Sequence, residues 1–260
     1  MRQANFVTVM VAVALALLPT LAGAQPPNPS GTPVYQDDFS NAASSGFEDN
    51  LRATDFSRGF HAPGVYHLKL SHSNPAVHWT LLPGHSYGES TVVLDLWDDS
   101  DTLQGDVSLG VVFRARDNTH FYTVLLNPRK GQYAIRKLNG SQWTDLVPMT
   151  ASPLIKRQTE VNQLRVDASG DDFTVYLNGE TLATFSDSSY AKGQVGLIID
   201  NVDAVEPHMH YDNLRLYTTE ARPAALPSTG APDSTPLAAL ALAALAALAL
   251  GVGARLRLAR

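Results

Sequence analysis

The chain has 260 residues, with 19 Lys and Arg against 25 Asp and Glu, a net charge of −6, and no cysteine. An acidic balance argues against a nucleic-acid partner, which demands a basic footprint. Without cysteine there are no disulfides, thiolate metal sites or cysteine nucleophiles.

At the N-terminus, Arg2 precedes an apolar core from Phe6 to Leu18, then Pro19 and Ala22-Gly23-Ala24. This pattern predicts a secretory signal peptide over residues 1–24, cleaved after Ala24. The apolar core is too short for a comfortable membrane span. Residues 25–32, rich in Pro and Gly, read as a linker. Residues 33–219 read as one domain, large enough to be stabilised by its own core.

That domain is written in alternation, with no sustained helical period. Val65 to Leu70 alternates, and Ser90 to Trp97 sets Val92, Leu94 and Leu96 on one face. Val107 to Arg116 sets Val107, Leu109, Val111 and Phe113 on one face, with Arg114 and Arg116 opposite. Phe121 to Leu126 is apolar on both faces, as a central strand should be. Asn139-Gly140, after Tyr133 to Leu138, and Asn178-Gly179, between Phe173 to Leu177 and Thr181 to Phe185, are hairpin signals, because both residue types accept positive φ. Further strands are expected at Gln194 to Ile199 and His210 to Tyr217. About a dozen short strands without a helix predict an all-β antiparallel sandwich or jelly roll.

Residues 220–235 read as a second linker, holding Leu226-Pro227-Ser228-Thr229-Gly230. Residues 236–253 are almost wholly Leu, Ala, Gly and Val. At ~1.5 Å per helical residue they are just long enough for a transmembrane helix. Arg255, Arg257 and Arg260 in the tip, residues 254–260, are expected to stay cytoplasmic, which leaves the domain outside the cell. The order of pentapeptide, apolar segment and basic tip resembles the LPxTG sorting signal of proteins joined to bacterial walls by a sortase. The resemblance implies that a sortase attacks the Thr229 carbonyl, and that a cell-wall precursor amine then takes the acyl group. The membrane helix would be a transient tether. A permanent single-pass anchor is the alternative. Removing Arg2 with the leader, and Asp233, Arg255, Arg257 and Arg260 with the tail, shifts the net charge from −6 to −9.

Several segments of the domain resemble a known superfamily. They include Asp37-Asp38-Phe39, Gly110 to Asp117 followed by Phe121-Tyr122, Gly131-Gln132-Tyr133 and Leu164-Arg165-Val166. Val175 to Gly179, Gly193 to Leu197 and Tyr211 to Arg215 complete the set. Together they resemble a concanavalin A-like lectin/glucanase domain, nearest the laminin-G-like and 3-keto-disaccharide-hydrolase-like branches. The resemblance implies a carbohydrate-binding sandwich, with a glycoside or 3-keto-glycoside hydrolase and a passive adhesive module as alternatives.

Glucanases of this fold carry Glu-x-Asp-x-x-Glu on one strand, which aims the carboxylates at one face. Here Asp95, Asp98, Asp99 and Asp101 cluster without the glutamates, and Asp98 to Asp101 reads as a solvated loop. No catalytic residue is assigned. Stacking on sugar rings needs aromatic side chains, for which Trp79, Trp97, Trp143, Tyr87, Tyr122 and Tyr133 are candidates. The preferred ligand set is Arg114, Arg116, Tyr122, Tyr133 and Arg136, expected across one sheet's concave face, together with Trp97. The alternative is ordinary core packing. His208 and His210 share a strand face, but no third metal ligand is suggested by spacing. The resemblance also implies a structural calcium ion tying the first strand to the last through Asp37 or Asp38 and Asp212.

Overall fold

The computed structural model describes residues 26–50, 56–61, 64–70, 75–203 and 205–220. The expected leader, the sequence Leu226–Gly230 and the apolar tail lie outside the described residues. Among the described residues no helix is long and apolar enough to cross a membrane.

Strands begin with β1 (Tyr35–Asp37), β2 (Phe56–His61), β3 (Val65–Leu70), β4 (Ala76–Leu81) and β5 (Ser90–Asp98). The middle of the domain holds β6 (Val107–Asp117), β7 (His120–Asn127), β8 (Gln132–Asn139), β9 (Gln142–Ala151) and β10 (Asn162–Ser169). It closes with β11 (Asp172–Leu177), β12 (Glu180–Ser186), β13 (Gln194–Asn201) and β14 (His208–Thr218). One sheet runs β12-β11-β10-β5-β14-β3-β2, with β1 also on β14, and the other runs β4-β13-β6-β7-β8-β9. Strand β14 pairs with β3 over residues 208–211 and with β1 over 214–216, so the first strand and the last lie side by side.

Alternation explains the layers. Val107, Leu109, Val111 and Phe113 of β6 face Leu94, Leu96, Val166 and Val175 of the opposite sheet within one buried cluster. Burying each such side chain contributes about 1.5–3 kcal/mol. The hairpin tips follow the expected chemistry in part. At the β11–β12 turn, Asn178 (φ 53) and Gly179 (φ 86) both take the left-handed region. At β8–β9 the loop is Gly140-Ser141, and of the Asn139-Gly140 pair only Gly140 has positive φ.

One strand departs from strict alternation. The β6–β7 register shifts after Phe113, and Arg114 adopts φ 48. A bulge of this kind re-aims the side chain it carries. Arg114, expected opposite Phe113, instead packs its guanidinium over Phe173, a residue of the core between the sheets.

Candidate functional site

The six-stranded sheet is apolar on both faces. Val112 of β6, Phe121 and Leu125 of β7, Leu138 of β8 and Ile198 of β13 alternate with core residues and form a second cluster. They lie on the outer face, and partly buried Val77, Trp79, Leu81 and Trp143 pack around them. Phe121 stands edge-on to Trp79 at 5.1 Å and to Trp143 at 5.7 Å between ring centres. Trp79 is on β4 and Trp143 on β9, the two edge strands of this sheet, and both rings reach inward to meet Phe121 on β7. Gly196 of β13 and Gly110 of β6 leave this face without a side chain at their positions. A Cβ on Gly110 would lie 1.8 Å from the Val124 carbonyl oxygen.

Polar groups cross the same surface. Arg136 of β8 donates from Nε to Asp145 Oδ1 and from Nη1 to Asp200 Oδ2, each at 2.9 Å. To reach Asp200 on β13, its side chain crosses β7 and β6. Burial raises the Asp200 pKa, an effect that Arg136 opposes and Asp106 reinforces.

The preferred ligand set is dispersed. Tyr122 and Tyr133 lie between the sheets, their hydroxyls donating to Asp187 Oδ1 at 2.6 Å and to the Leu182 carbonyl at 3.3 Å. Neither offers a ring face to solvent. Arg114 is 1% exposed and donates to the carbonyls of Gly88 and Tyr190. Arg116 is exposed, and Trp97 belongs to the other sheet, edge-on to His210 at 5.2 Å. Only Arg136 stands on the aromatic face. Phe121, Asp145 and Asp200 were not among the expected residues; the signal for Phe121 was a β7 apolar on both sides.

Asp98 is not part of a solvated loop. It is fully buried and takes Arg129 Nε at 2.6 Å, with Arg129 also donating to Ser100 Oγ at 3.0 Å. Ser100 Oγ in turn accepts from the His208 backbone N–H at 2.8 Å. This chain of contacts fixes the start of β14.

There the histidine pair acquires its third member. His67 of β3 lies opposite His210 in the register. His67 Nδ1 and His210 Nε2 stand 3.0 and 3.1 Å from His208 Nε2. Asp99 Oδ2 is 3.6 Å from His210 Nε2, and His61 lies within 5.8–6.1 Å of all three rings. Burial first, then repulsion from neighbouring cationic groups, holds all three pKa values at about 4. These imidazoles are therefore neutral at pH 7.

The three aspartates meet less closely. Asp37 accepts from Phe39 N–H at 2.8 Å and from Tyr35 O–H at 2.7 Å, and Asp38 accepts from both Ser40 groups. Asp212 accepts from Asn213 N–H at 2.6 Å. Asp37, Asp38 and Asp95 line a cleft of about 340 Å³ with Asn213 and Arg215. Burial raises the Asp212 pKa, and Asp95, Asp38 and Asp37 add to it. Among the described residues, the set of three side chains whose ligand atoms all lie within 4.8 Å is the histidine trio.

No protein-family model matches the chain. No curated protein matches it. Solved structures do resemble it. A carbohydrate-binding module, CBM66, from Bacillus subtilis superposes with a TM-score of 0.54 at 15% identity, over 67% of this chain and 96% of that one. A β-glucanase of Bacillus licheniformis gives 0.51 at 10% identity, over 73% of this chain and 100% of its own. A Bacillus subtilis protein of unknown function with a galectin-like fold gives 0.52 at 13% identity, over 72% and 96%. The likeness is one of fold: a β-sandwich shared by binding modules and hydrolases.

Proposed function

We propose that this domain is a non-catalytic carbohydrate-binding module, secreted and held at the bacterial surface by its tail, with the glycan lying across the outer face of the six-stranded sheet. The observation that carries this reading is the row Trp79, Phe121 and Trp143, with Arg136 stretched beside it. Aromatic side chains stack on the apolar faces of sugar rings, and a few placed polar groups fix their orientation. Trp79 and Trp143 are the partly exposed members of this row, and the buried Phe121, Leu125 and Leu138 support them from below. A fold shared with a carbohydrate-binding module is consistent with the proposal.

The hydrolase alternative needs two carboxylates about 5–9 Å apart, one of them available as an acid. Asp145 and Asp200 are the carboxylates beside the row, and both grip Arg136. Arg136 holds one carboxylate at Nε and the other at Nη1, so both are engaged in fixing that guanidinium across the sheet. Binding is therefore the better match to these residues.

Display at the wall is proposed from residues 226–260 alone. A structural calcium ion held by Asp37 or Asp38 and by Asp212 is a separate proposal, supported by the cleft that Asp37, Asp38 and Asp95 line and by the electrostatic coupling of these three to Asp212. A glycan array with the full chain, together with a hydrolysis assay on each hit, tests the main reading. Binding without product release supports it. A silent array refutes it, and turnover replaces it with the hydrolase. Mass spectrometry of envelope fractions tests the tail: wall-linked chains ending at Thr229 support sorting, whereas detergent-extracted chains retaining Arg260 refute it.

A further inference from the structure

We infer that His67, His208 and His210 form a binding site for a zinc-class transition-metal ion, on the eight-stranded sheet and separate from the aromatic row. The three ligand atoms lie within 4.8 Å of one another, and two of their separations are 3.0 and 3.1 Å. Imidazole nitrogens bound tetrahedrally to zinc at about 2.0–2.1 Å stand roughly 3.3 Å apart, so a small outward movement suffices.

Hydrogen bonding cannot satisfy this arrangement. A ring nitrogen offers either one N–H or one lone pair. His208 Nε2 faces two ring nitrogens at once and can pair fully with only one of them. One metal ion accepts all three lone pairs. His67 Nε2, at the far side of its ring, is buried with no hydrogen-bond partner among the described residues. Ligation through Nδ1 fixes the tautomer that carries the proton on Nε2, and leaving that N–H without a partner is a cost that the metal bond has to outweigh.

The frame around the site is rigid. His67 and His210 are cross-strand partners, and the Arg129–Asp98–Ser100 chain holds the His208 backbone. Asp99, whose backbone N–H donates to the His208 carbonyl at 2.8 Å, keeps its carboxylate 3.6 Å from His210 and half exposed. It is placed to supply a fourth, anionic ligand, and it counters Lys69, which stands opposite His208 in the register. Three imidazoles and a carboxylate suit zinc over calcium or magnesium, which take oxygen ligands. The ion would clip β3 to β14 in a domain that has no disulfide.

The test uses the untagged full-length chain, freed of metal by chelation and dialysed against Zn²⁺, Co²⁺ or Ca²⁺. We expect one zinc per chain, a rise in melting temperature with Zn²⁺ and none from Ca²⁺ at these residues, and the intense visible bands of tetrahedral Co²⁺. His208→Ala should weaken zinc binding by more than the roughly 10–100-fold that loss of an outer-shell partner costs. His120→Ala, on the other sheet, should leave it unchanged. Absence of zinc from the native chain overturns the inference whatever the variants do. So does zinc that binds equally to the His208→Ala protein, or a Co²⁺ spectrum of octahedral type. The outcome is independent of the glycan array, so either reading can fail alone.

Discussion

The guanidinium of Arg114 lies 4.6 Å from the centre of the Phe173 ring, inside the sandwich. A bulged, positive-φ backbone puts it there, and its partners are the Gly88 and Tyr190 carbonyls at 2.9 and 3.2 Å. The arginine therefore pins two loops to the end of β6. Arg114→Ala should destabilise the fold by about 3–5 kcal/mol, through a cavity and two orphaned carbonyls. Arg114→Met, which restores volume, should lose less. Chemical denaturation measures both. Glycan affinity per folded molecule should not change, and a selective loss of affinity would return Arg114 to the ligand site.

Asp98 and Arg129 make a second structural demand. Their side chains are 0% and 3% exposed, so each is the other's main source of charge compensation. Asp98→Asn should cost about 3–5 kcal/mol, because it leaves a buried guanidinium facing a neutral amide. The double variant Asp98→Leu, Arg129→Met removes both charges and should recover a large part of that loss. If the single and double variants are equally unstable, the pair is not what stabilises this corner.

Most of the fold was legible because alternation and Asn-Gly turns are local signals. β3, β5, β7, β11 and β13 begin and end within one or two residues of their patterned runs. The sites were less legible because they depend on pairing across the sheet. Strand parity assigned Tyr122 to a face, but only the sheet order reveals that this face is the interior. His208 and His210 announced themselves by spacing, whereas His67 lies 141 residues before His208 and joins them only through the β3–β14 register. Arg114 was misassigned for a third reason: a bulge leaves no clear mark in the composition of a strand.

The aromatic row makes a specific claim about recognition. Trp79 and Trp143 are half-buried at opposite ends, while Phe121 beneath them is fully buried. The tryptophans should meet the sugar and phenylalanine should support them. Trp79→Ala and Trp143→Ala should each weaken binding of an array hit by roughly 5–20-fold, the equivalent of about 1–2 kcal/mol. Trp97→Ala, on the other sheet, should have no effect. Isothermal titration separates these cases. Equal losses from all three variants would point to general destabilisation in place of stacking.

Acid should weaken the metal-free protein in two stages. Burial, with repulsion from neighbours, lowers His67, His208 and His210 from 6.5 to about 4. Around them stand His61, Lys69 and Asp99, of which only Asp99 favours their charged form. Between pH 6.5 and 4 the unfolded chain binds protons that the folded chain refuses, so stability must fall as pH falls. A second stage begins near pH 4 and involves Asp187. Its burial raises the pKa, but hydrogen bonds from Lys137, Ser189 and Tyr122 outweigh burial and hold it well below the carboxylate range. The stability this depressed pKa contributes is complete above the unfolded value and is lost as pH drops below it. Denaturation curves at pH 7.5, 6, 5 and 3.5 resolve the two stages. His208→Asn should shrink the upper stage, leaving the share of His67 and His210, and should leave the lower one, whereas Lys137→Met should flatten only the lower. A wild-type stability that is level from pH 7.5 to 4.5 would mean that these imidazoles accept protons freely in the folded state.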